Sequence, residues 1–177
     1  MKSTVTETQF ILSPSVCAEI DRWLLKYPPD QKRSAVVQAL FLAQEQNSGW
    51  LSAAAMKAVA DYLQLPPIEV YEVATFYDMY NLKPQGKNKI TICTNIACML
   101  NGADQLVACI KRCLGVGLNE DTLDGNFSIR ESECLAACGG APMCQVNDKE
   151  YHENLTAEKM EAIINQLKKA AIDRNTK

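Results

Sequence analysis

The chain has 177 residues and eight cysteines, four of which form two closely spaced pairs. Cys93 and Cys98 lie in the segment ICTNIACMLNG, and Cys134 and Cys138 lie in ESECLAACGGAPMC, with four and three residues between the members of each pair. Such spacings let a loop fold back so that both sulfurs of a pair face one ion. Two pairs of this kind suit a 2Fe–2S cluster, in which each iron takes two thiolates.

The spacing alone leaves two other kinds of site open. Zinc also binds four thiolates, although its structural sites more often place two residues between paired cysteines. Sites of mixed cysteine and histidine need more than His152, which is the one histidine of the chain. The pairs could also be free thiols or a thiol catalyst, although a redox dithiol more often has two intervening residues. The pattern favours the iron–sulfur cluster and leaves zinc and thiol chemistry as alternatives.

The other four cysteines are interpreted as core residues rather than ligands. Cys109 and Cys113 are four residues apart on a predicted helix and adjoin its apolar stripe, where cysteine acts as a small apolar residue. Cys17 lies beside the apolar face of the first predicted helix, and Cys144 lies inside a short apolar strand. Of these four, Cys144 is the nearest in sequence to the second pair.

The overall composition is that of a soluble protein with no strong charge bias. The formal net charge is −3, so neither nucleic acid nor anionic lipid is an expected partner. No apolar run approaches the roughly 18 residues of a membrane-spanning helix, and the start, MKSTVTETQF, lacks the apolar core of a signal peptide. We therefore expect a cytoplasmic chain whose cysteines are thiols or metal ligands rather than disulfides.

No other catalytic constellation is visible in the sequence. There is no Ser/His/Asp set and no HExxH segment, so hydrolytic chemistry has no visible residues to perform it. The GVG segment at 115–117 follows a predicted helix rather than a strand and lacks the rest of a dinucleotide fingerprint. The chain by itself is not expected to bind NAD.

The residues before the first cysteine pair predict a small helical bundle. Ser13 is a plausible N-cap with Pro14 at the first helical position, and the YPPD segment ends that helix. Three more helices are predicted over about residues 31–46, from Ser52 to about Leu63, and from Pro66 or Pro67. The short connections between these amphipathic helices are typical of a bundle.

The second half of the chain predicts strands and helices in the order β-α-β-β-β-α. The first strand ends at Cys93, a helix follows over 103–114, and the segment FSIRE forms the second strand. Strands at APMCQVND and KEYHE then precede a last helix that Thr156 could cap. If a right-handed βαβ unit makes the first two strands parallel neighbours, both cysteine pairs emerge on loops at one edge of a mixed sheet.

Five segments occur in the order of a known family: ALFLAQEQNSGWLS, VYEVATFYDMYNLKPQGK, ICTNIACMLNGADQL, DGNFSI and ECLAACGGAPMCQVND. Together they resemble the E-subunit family of bacterial NADH-quinone oxidoreductase, respiratory complex I. Related chains belong to NAD-linked hydrogenases and formate dehydrogenases, so an equivalent diaphorase subunit of such an enzyme is the alternative. The resemblance covers about residues 13–168.

The resemblance implies an α+β fold, with an N-terminal helical bundle followed by a thioredoxin-like 2Fe–2S ferredoxin domain. The expected boundaries are a flexible N-terminus at 1–12, the bundle at 13–80, a linker at 81–88, the 2Fe–2S domain at 89–170 and a tail at 171–177.

The resemblance also implies the ligands, because the family's cluster cysteines fall on Cys93, Cys98, Cys134 and Cys138. One departure is visible: the family's second pair usually reads Cys-Leu-Gly-x-Cys, and Ala136 replaces the glycine. Alanine disfavours a left-handed backbone. We expect this residue to alter local geometry or potential slightly without removing a ligand.

The function implied by the resemblance is that of an oxidoreductase component with no complete active site of its own. One 2Fe–2S cluster would exchange a single electron with FMN on a partner subunit, off the main route to quinone. The expected partners are the F-type subunit, which binds NADH and carries FMN and a 4Fe–4S cluster, and the larger iron–sulfur subunit of the same module. The chain would lie in the cytoplasm, peripheral to the inner membrane.

Overall fold

The structure is a computed structural model that describes residues 10–175, with side chains described to residue 170. The chain divides into two compact units between Pro84 and Gln85. The first unit is helical and the second contains a mixed four-stranded sheet with helices, which confirms the predicted α+β class. Residues 1–9 and 176–177, which include most of the expected flexible N-terminus and the end of the expected tail, lie outside the described residues.

The first unit is built from four α-helices, as its hydrophobic periodicity predicts. They are α1 (Pro14–Leu24), α2 (Val36–Gln46), α3 (Ala53–Leu63) and α4 (Pro67–Phe76). Ser13 and Ser52 cap α1 and α3, because their side chains accept hydrogen bonds from the backbone amides of the first turn. The second predicted helix differs at its start, where Lys32–Ala35 forms a 3-10 turn before α2 begins.

The helices of the first unit enclose one apolar core. Its fully buried side chains include Ile20, Leu40, Val59 and Leu63. Leu12 also belongs to this core and Phe10 packs against it. The described end of the segment expected to be a flexible N-terminus is therefore held by the bundle.

The second unit has four strands and three α-helices in the order β-α-α-β-β-β-α. The strands are β1 (Asn88–Cys93), β2 (Phe127–Ser132), β3 (Cys144–Val146) and β4 (Glu150–His152). The helices are α5 (Ile96–Leu100), α6 (Ala103–Leu114) and α7 (Ala157–Asn175). Because α7 continues to Asn175, it extends into the segment expected to be a tail.

The sheet has the strand order β2-β1-β3-β4. β1 and β2 pair in parallel, with Cys93 opposite Ser132, which confirms the parallel pair predicted from the sequence. β3 pairs antiparallel with both β1 and β4, and β4 lies within the predicted KEYHE strand. Since β1 and β2 run in the same direction, the chain leaves both at the same edge of the sheet.

Apolar side chains of the sheet, α6 and α7 form the core of the second unit. They include Ile90, Ile129, Ile110, Met160 and Ile164, all almost fully buried. Within residues 10–175, none of the helices has both the length and the apolar character that crossing a membrane requires.

Candidate metal centre

The four predicted ligand cysteines lie at the end of β1 and in the segments that follow β1 and β2, although Cys98 lies in a helix and not on the predicted loop. Cys93 is the last residue of β1 and Cys98 lies in α5. Cys134 lies two residues beyond the end of β2, and Cys138 is the first residue of a 3-10 turn, Cys138–Gly140. All four are free thiols. The parallel pairing of β1 and β2 therefore delivers both pairs to one edge of the sheet, as the sequence predicts.

The contacts of Cys98 show how closely the two regions approach each other. Its thiol hydrogen-bonds with the thiol of Cys93, and it interacts electrostatically with both Cys93 and Cys138. Cys93 and Cys98 share a small buried cluster with Met143, and Leu135 of the second loop packs against that cluster. The structure thus places Cys93 beside Cys98 and brings Cys138 near enough to affect the Cys98 thiol electrostatically.

Cys134 is held by contacts within its own segment. Its sulfur accepts a hydrogen bond of 3.3 Å from the backbone amide of Ala136. Its carbonyl accepts a hydrogen bond of 3.3 Å from the hydroxyl of Ser132, at the end of β2. Leu135, the next residue, packs against the buried cluster around Cys93 and Cys98. Contacts of Ser132 and Leu135, on either side of Cys134 in the sequence, therefore hold this segment in place.

Burial determines the protonation of the inner thiol. Loss of hydration, followed by the hydrogen bond with the Cys93 thiol, raises the pKa of Cys98 to about 11, and a hydrogen bond with the Met143 backbone acts in the opposite direction. A buried thiolate is stabilised when a positive ion lies beside it. The site therefore suits a cation that replaces the thiol proton.

Two residues to which the sequence assigned no role, Thr94 and Asn95, connect the segment after β1 to β2 and to the segment after β2. The side chain of Asn95 caps α5 by accepting a hydrogen bond of 2.7 Å from the amide of Ile96, and its amide group donates to the carbonyl of Glu133. Thr94 Oγ1 donates to the Glu131 carboxylate over 2.8 Å. An asparagine before an apolar segment is a recognised N-cap signal, so the TNIACML segment did contain the information for α5. The cross-loop contact had no sequence signal.

Ala136 adopts a left-handed backbone conformation. This conformation costs more for alanine than for the glycine that the family usually has here. Its φ is 58°, in a region that residues with a side chain seldom adopt. The same peptide provides the amide that donates to the Cys134 sulfur. The alanine at this position therefore has a left-handed backbone that is costly for it, and its amide donates a hydrogen bond to a predicted ligand.

Four thiols are the donor set of an iron–sulfur cluster and also of a structural zinc ion. Four sulfurs around a single zinc would each be separated by about 3.8 Å. Among the side chains that the structure describes, the group of three ligand atoms within 4.8 Å of one another is a different one, Cys109, Cys113 and Glu161. A binuclear cluster needs close pairs on separate irons rather than four equidistant sulfurs.

The remaining cysteines are placed as the sequence suggests, with one addition. Cys144 is fully buried in β3, and this burial raises the pKa of its thiol to about 12. Cys17 packs against the core of the first unit. Cys109 and Cys113 face the core of the second unit, and their proximity to a carboxylate was not anticipated.

The fold of the chain is shared with a solved enzyme. The NAD+-reducing [NiFe]-hydrogenase in the air-oxidized state contains a similar structure, with a TM-score of 0.65 and 21% identity, over 74% of this chain and 23% of the hydrogenase chain. The chain thus spans about a quarter of that hydrogenase chain. At this level of identity the likeness concerns the fold.

Curated relatives are similar over most of their length. The E subunit of NADH-quinone oxidoreductase from Rickettsia bellii is 52% identical over 143 residues, which are 81% of this chain and 85% of the relative. The protein of the same name from Rickettsia prowazekii is 42% identical over 166 residues, 94% of this chain and 93% of the relative. The mitochondrial NADH dehydrogenase [ubiquinone] flavoprotein 2 of Dictyostelium discoideum is 38% identical over 161 residues, 91% of this chain and 65% of that protein.

These matches confirm the resemblance to the E-subunit family of NADH-quinone oxidoreductase. The relatives are components of an oxidoreductase complex, as their names state. A family model described as thioredoxin-like [2Fe-2S] ferredoxin matches residues 20–168, which is most of the chain. The chain therefore belongs to the thioredoxin-like [2Fe-2S] ferredoxin family.

Proposed function

We propose that this chain is the electron-transfer subunit of an NADH dehydrogenase module and that Cys93, Cys98, Cys134 and Cys138 hold one 2Fe–2S cluster. The observation that carries the proposal is the delivery of two cysteine pairs to one sheet edge by the parallel strands β1 and β2. Family membership and the names of the relatives support it. When bound, the cluster supplies the ability to accept and return one electron.

The residues around the site provide ligation, shielding and hydrogen bonds. Cys93, Cys98 and Met143 are almost fully buried, so the inner side of the site is closed to water. The amide of Ala136 donates to the Cys134 sulfur, and the Met143 backbone hydrogen-bonds with Cys98. Hydrogen bonds to the sulfurs and the degree of solvent exposure set the reduction potential of such a centre. Residues of both cysteine segments would therefore affect the reduction potential of the proposed cluster.

The proposed electron partner is FMN on another subunit of the module. NADH gives up two electrons as hydride, whereas a 2Fe–2S centre handles one at a time. A flavin links these two kinds of transfer, and the family resemblance assigns FMN to the NADH-binding subunit that also carries a 4Fe–4S cluster. We place that subunit and the larger iron–sulfur subunit next to this chain, in the cytoplasm and peripheral to a membrane.

The surface next to the cysteines supports contact with a partner. The side chains of Ile96, Met99 and Leu100 on α5 are 68%, 50% and 76% exposed, and this helix carries Cys98. Adjacent apolar side chains exposed in this way are typical of a protein–protein contact. A partner bound here would lie against the cysteine site.

The proposal is tested by a redox titration of the isolated, anaerobically prepared chain and by its binding to the FMN-carrying subunit. We expect a one-electron midpoint on the order of −400 mV, typical of all-thiolate ligation; a midpoint well above zero would reject that ligation.

Leu100→Lys should weaken partner binding without changing the iron content. Leu123→Lys, at an exposed loop position elsewhere in the second unit, is the control. Equal binding by both variants would remove α5 from the proposed interface.

A further inference from the structure

A second group of metal-ligating side chains lies between α6 and α7. Cys109 and Cys113 project from α6, and Glu161 projects from α7. Their ligand atoms all lie within 4.8 Å of one another. This group shares no residue with the proposed iron–sulfur site.

The two sulfurs have the separation that a shared ion requires. Residues four apart on a helix lie on the same face, and the Sγ atoms of Cys109 and Cys113 are 4.0 Å apart. Two thiolates bound to one tetrahedral zinc ion at about 2.3 Å would be about 3.8 Å apart. Both sulfurs can therefore bind one zinc ion with little movement of their side chains.

Glu161 offers the third ligand from the facing helix. Its side chain is half exposed, and its carboxylate lies 3.5 Å from the guanidinium of Arg112, a long contact that constrains it weakly. Cys113 is also partly exposed, whereas Cys109 is buried. An ion could therefore enter from solvent, and the fourth position would remain open to water.

The charges near the group also fit a divalent cation. Arg112 Nη2 lies 3.4 Å from Cys109 Sγ as well as 3.5 Å from the Glu161 carboxylate. Two thiolates and one carboxylate are balanced by a divalent ion together with this guanidinium. Burial and then the neighbouring Cys113 thiol raise the pKa of Cys109, so the Cys109 thiol is expected to carry its proton until an ion displaces it.

We propose that Cys109, Cys113 and Glu161 form a second metal site, which binds one soft divalent cation of the zinc type and ties α6 to α7. Thiolate sulfur selects zinc over hard cations such as magnesium and calcium. Binding releases the protons of the Cys109 and Cys113 thiols to solvent, and the hydrogen bond of 3.3 Å from Cys109 Sγ to the Ala157 carbonyl is given up. Arg112 positions the carboxylate and balances the charge.

The test uses the full chain with its iron–sulfur cluster in place. The chain is freed of loosely bound metal and titrated with Zn2+ against a chromophoric chelator, and native mass spectrometry counts zinc and iron in the same molecules. We expect one zinc per chain, with a dissociation constant below about 1 µM, in addition to the full iron content.

The variants separate ligation from folding. Cys113→Ser changes a partly exposed residue and should weaken zinc binding at least about 100-fold, and Glu161→Gln should weaken it about tenfold, with iron unchanged. Asp104→Asn, at an exposed carboxylate in the first turn of α6, is the matched control and should bind zinc like the parent chain. Arg112→Lys retains the charge but loses the guanidinium fork, so we expect a smaller loss.

Three results would overturn the proposal. Zinc binding unchanged in both Cys113→Ser and Glu161→Gln would show that these residues are not ligands. Zinc bound only with loss of iron would place it at the first cysteine site. A mass lower by two hydrogens, with no reactive thiol at Cys109 or Cys113, would show a disulfide in place of a metal site.

Discussion

The two cysteine pairs lie at the same edge of one sheet, but their surroundings are very different. Cys93 and Cys98 are buried, at the end of a strand and inside a helix. Cys134 and Cys138 are exposed, and the segment between them includes the left-handed Ala136. One pair is part of the apolar interior, whereas the other belongs to an exposed loop. We infer that the first pair contributes to the fold even without metal and that the second, exposed pair contributes little to it.

The largest expected effect concerns the four proposed ligands. Replacing any of the four by serine should disrupt the cluster, measured by iron content and by the EPR signal of the reduced chain. Without metal the pairs should differ. Cys93→Ser or Cys98→Ser buries a hydroxyl and should lower the free energy of unfolding by about 1–3 kcal/mol. Cys134→Ser or Cys138→Ser should change it by less than about 0.5 kcal/mol, since these residues are exposed.

The control for this series is Cys17→Ser, at a partly buried position in the first unit. It should leave the cluster signal unchanged. Urea unfolding of the metal-free chains gives the free energies. Equal destabilisation by all four substitutions would contradict the division into a core pair and a loop pair.

The second difference is in thiol reactivity. In the metal-free chain, Cys134 and Cys138 should react with iodoacetamide at least about 100-fold faster than Cys98, because the thiolate is the reacting form and needs access. The pKa of Cys98 is raised to about 11, so its rate should increase as the pH rises toward that value. Peptide mass spectrometry of timed samples measures each rate. Similar rates at pH 7 would mean that burial does not protect the first pair.

A third, smaller effect concerns the connection between the loops. Asn95→Ala removes both the cap of α5 and the hydrogen bond to Glu133, and should lower the free energy of unfolding by about 1–2 kcal/mol. Asn95→Ser restores an acceptor for the cap but does not reach the second loop. We expect Asn95→Ser to recover fold stability more than cluster retention. Recovery of both in equal measure would show that the bridge to Glu133 has no role.

The smallest effect tests the backbone of the second loop. Ala136→Gly relieves a left-handed conformation and should raise the free energy of unfolding by about 0.5–1 kcal/mol. Ala137 has a φ of −115°, so Ala137→Gly is the matched control and should lower the free energy slightly. Urea unfolding compares the two. A loss of stability in Ala136→Gly would show that the strain is absent in solution.

The sequence predicts the helices of the first unit and the parallel strands of the second well. These elements depend on local signals: Ser13 and Ser52 cap helices, and the apolar periodicity marks their buried faces. The delivery of both cysteine pairs to one edge follows from the parallel pairing of β1 and β2, which is the arrangement that a βαβ unit produces. Such features need no knowledge of distant contacts.

Other features depend on contacts between segments that are far apart in sequence. The sequence predicts that Cys98 lies on a loop, whereas it lies in α5. A helix of five residues is too short for hydrophobic periodicity to reveal it. The bridge from Asn95 to Glu133 and the approach of Glu161 to Cys109 join residues more than thirty positions apart. Tertiary packing brings these pairs together, and no local pattern encodes it.

The most direct test of the central claim is low-temperature EPR of the dithionite-reduced chain, prepared without air, together with counts of iron and acid-labile sulfide. We expect about two irons and two sulfides per chain and one rhombic or axial signal from a reduced 2Fe–2S centre. A colourless chain that holds zinc at Cys93, Cys98, Cys134 and Cys138 and contains no sulfide would contradict the assignment.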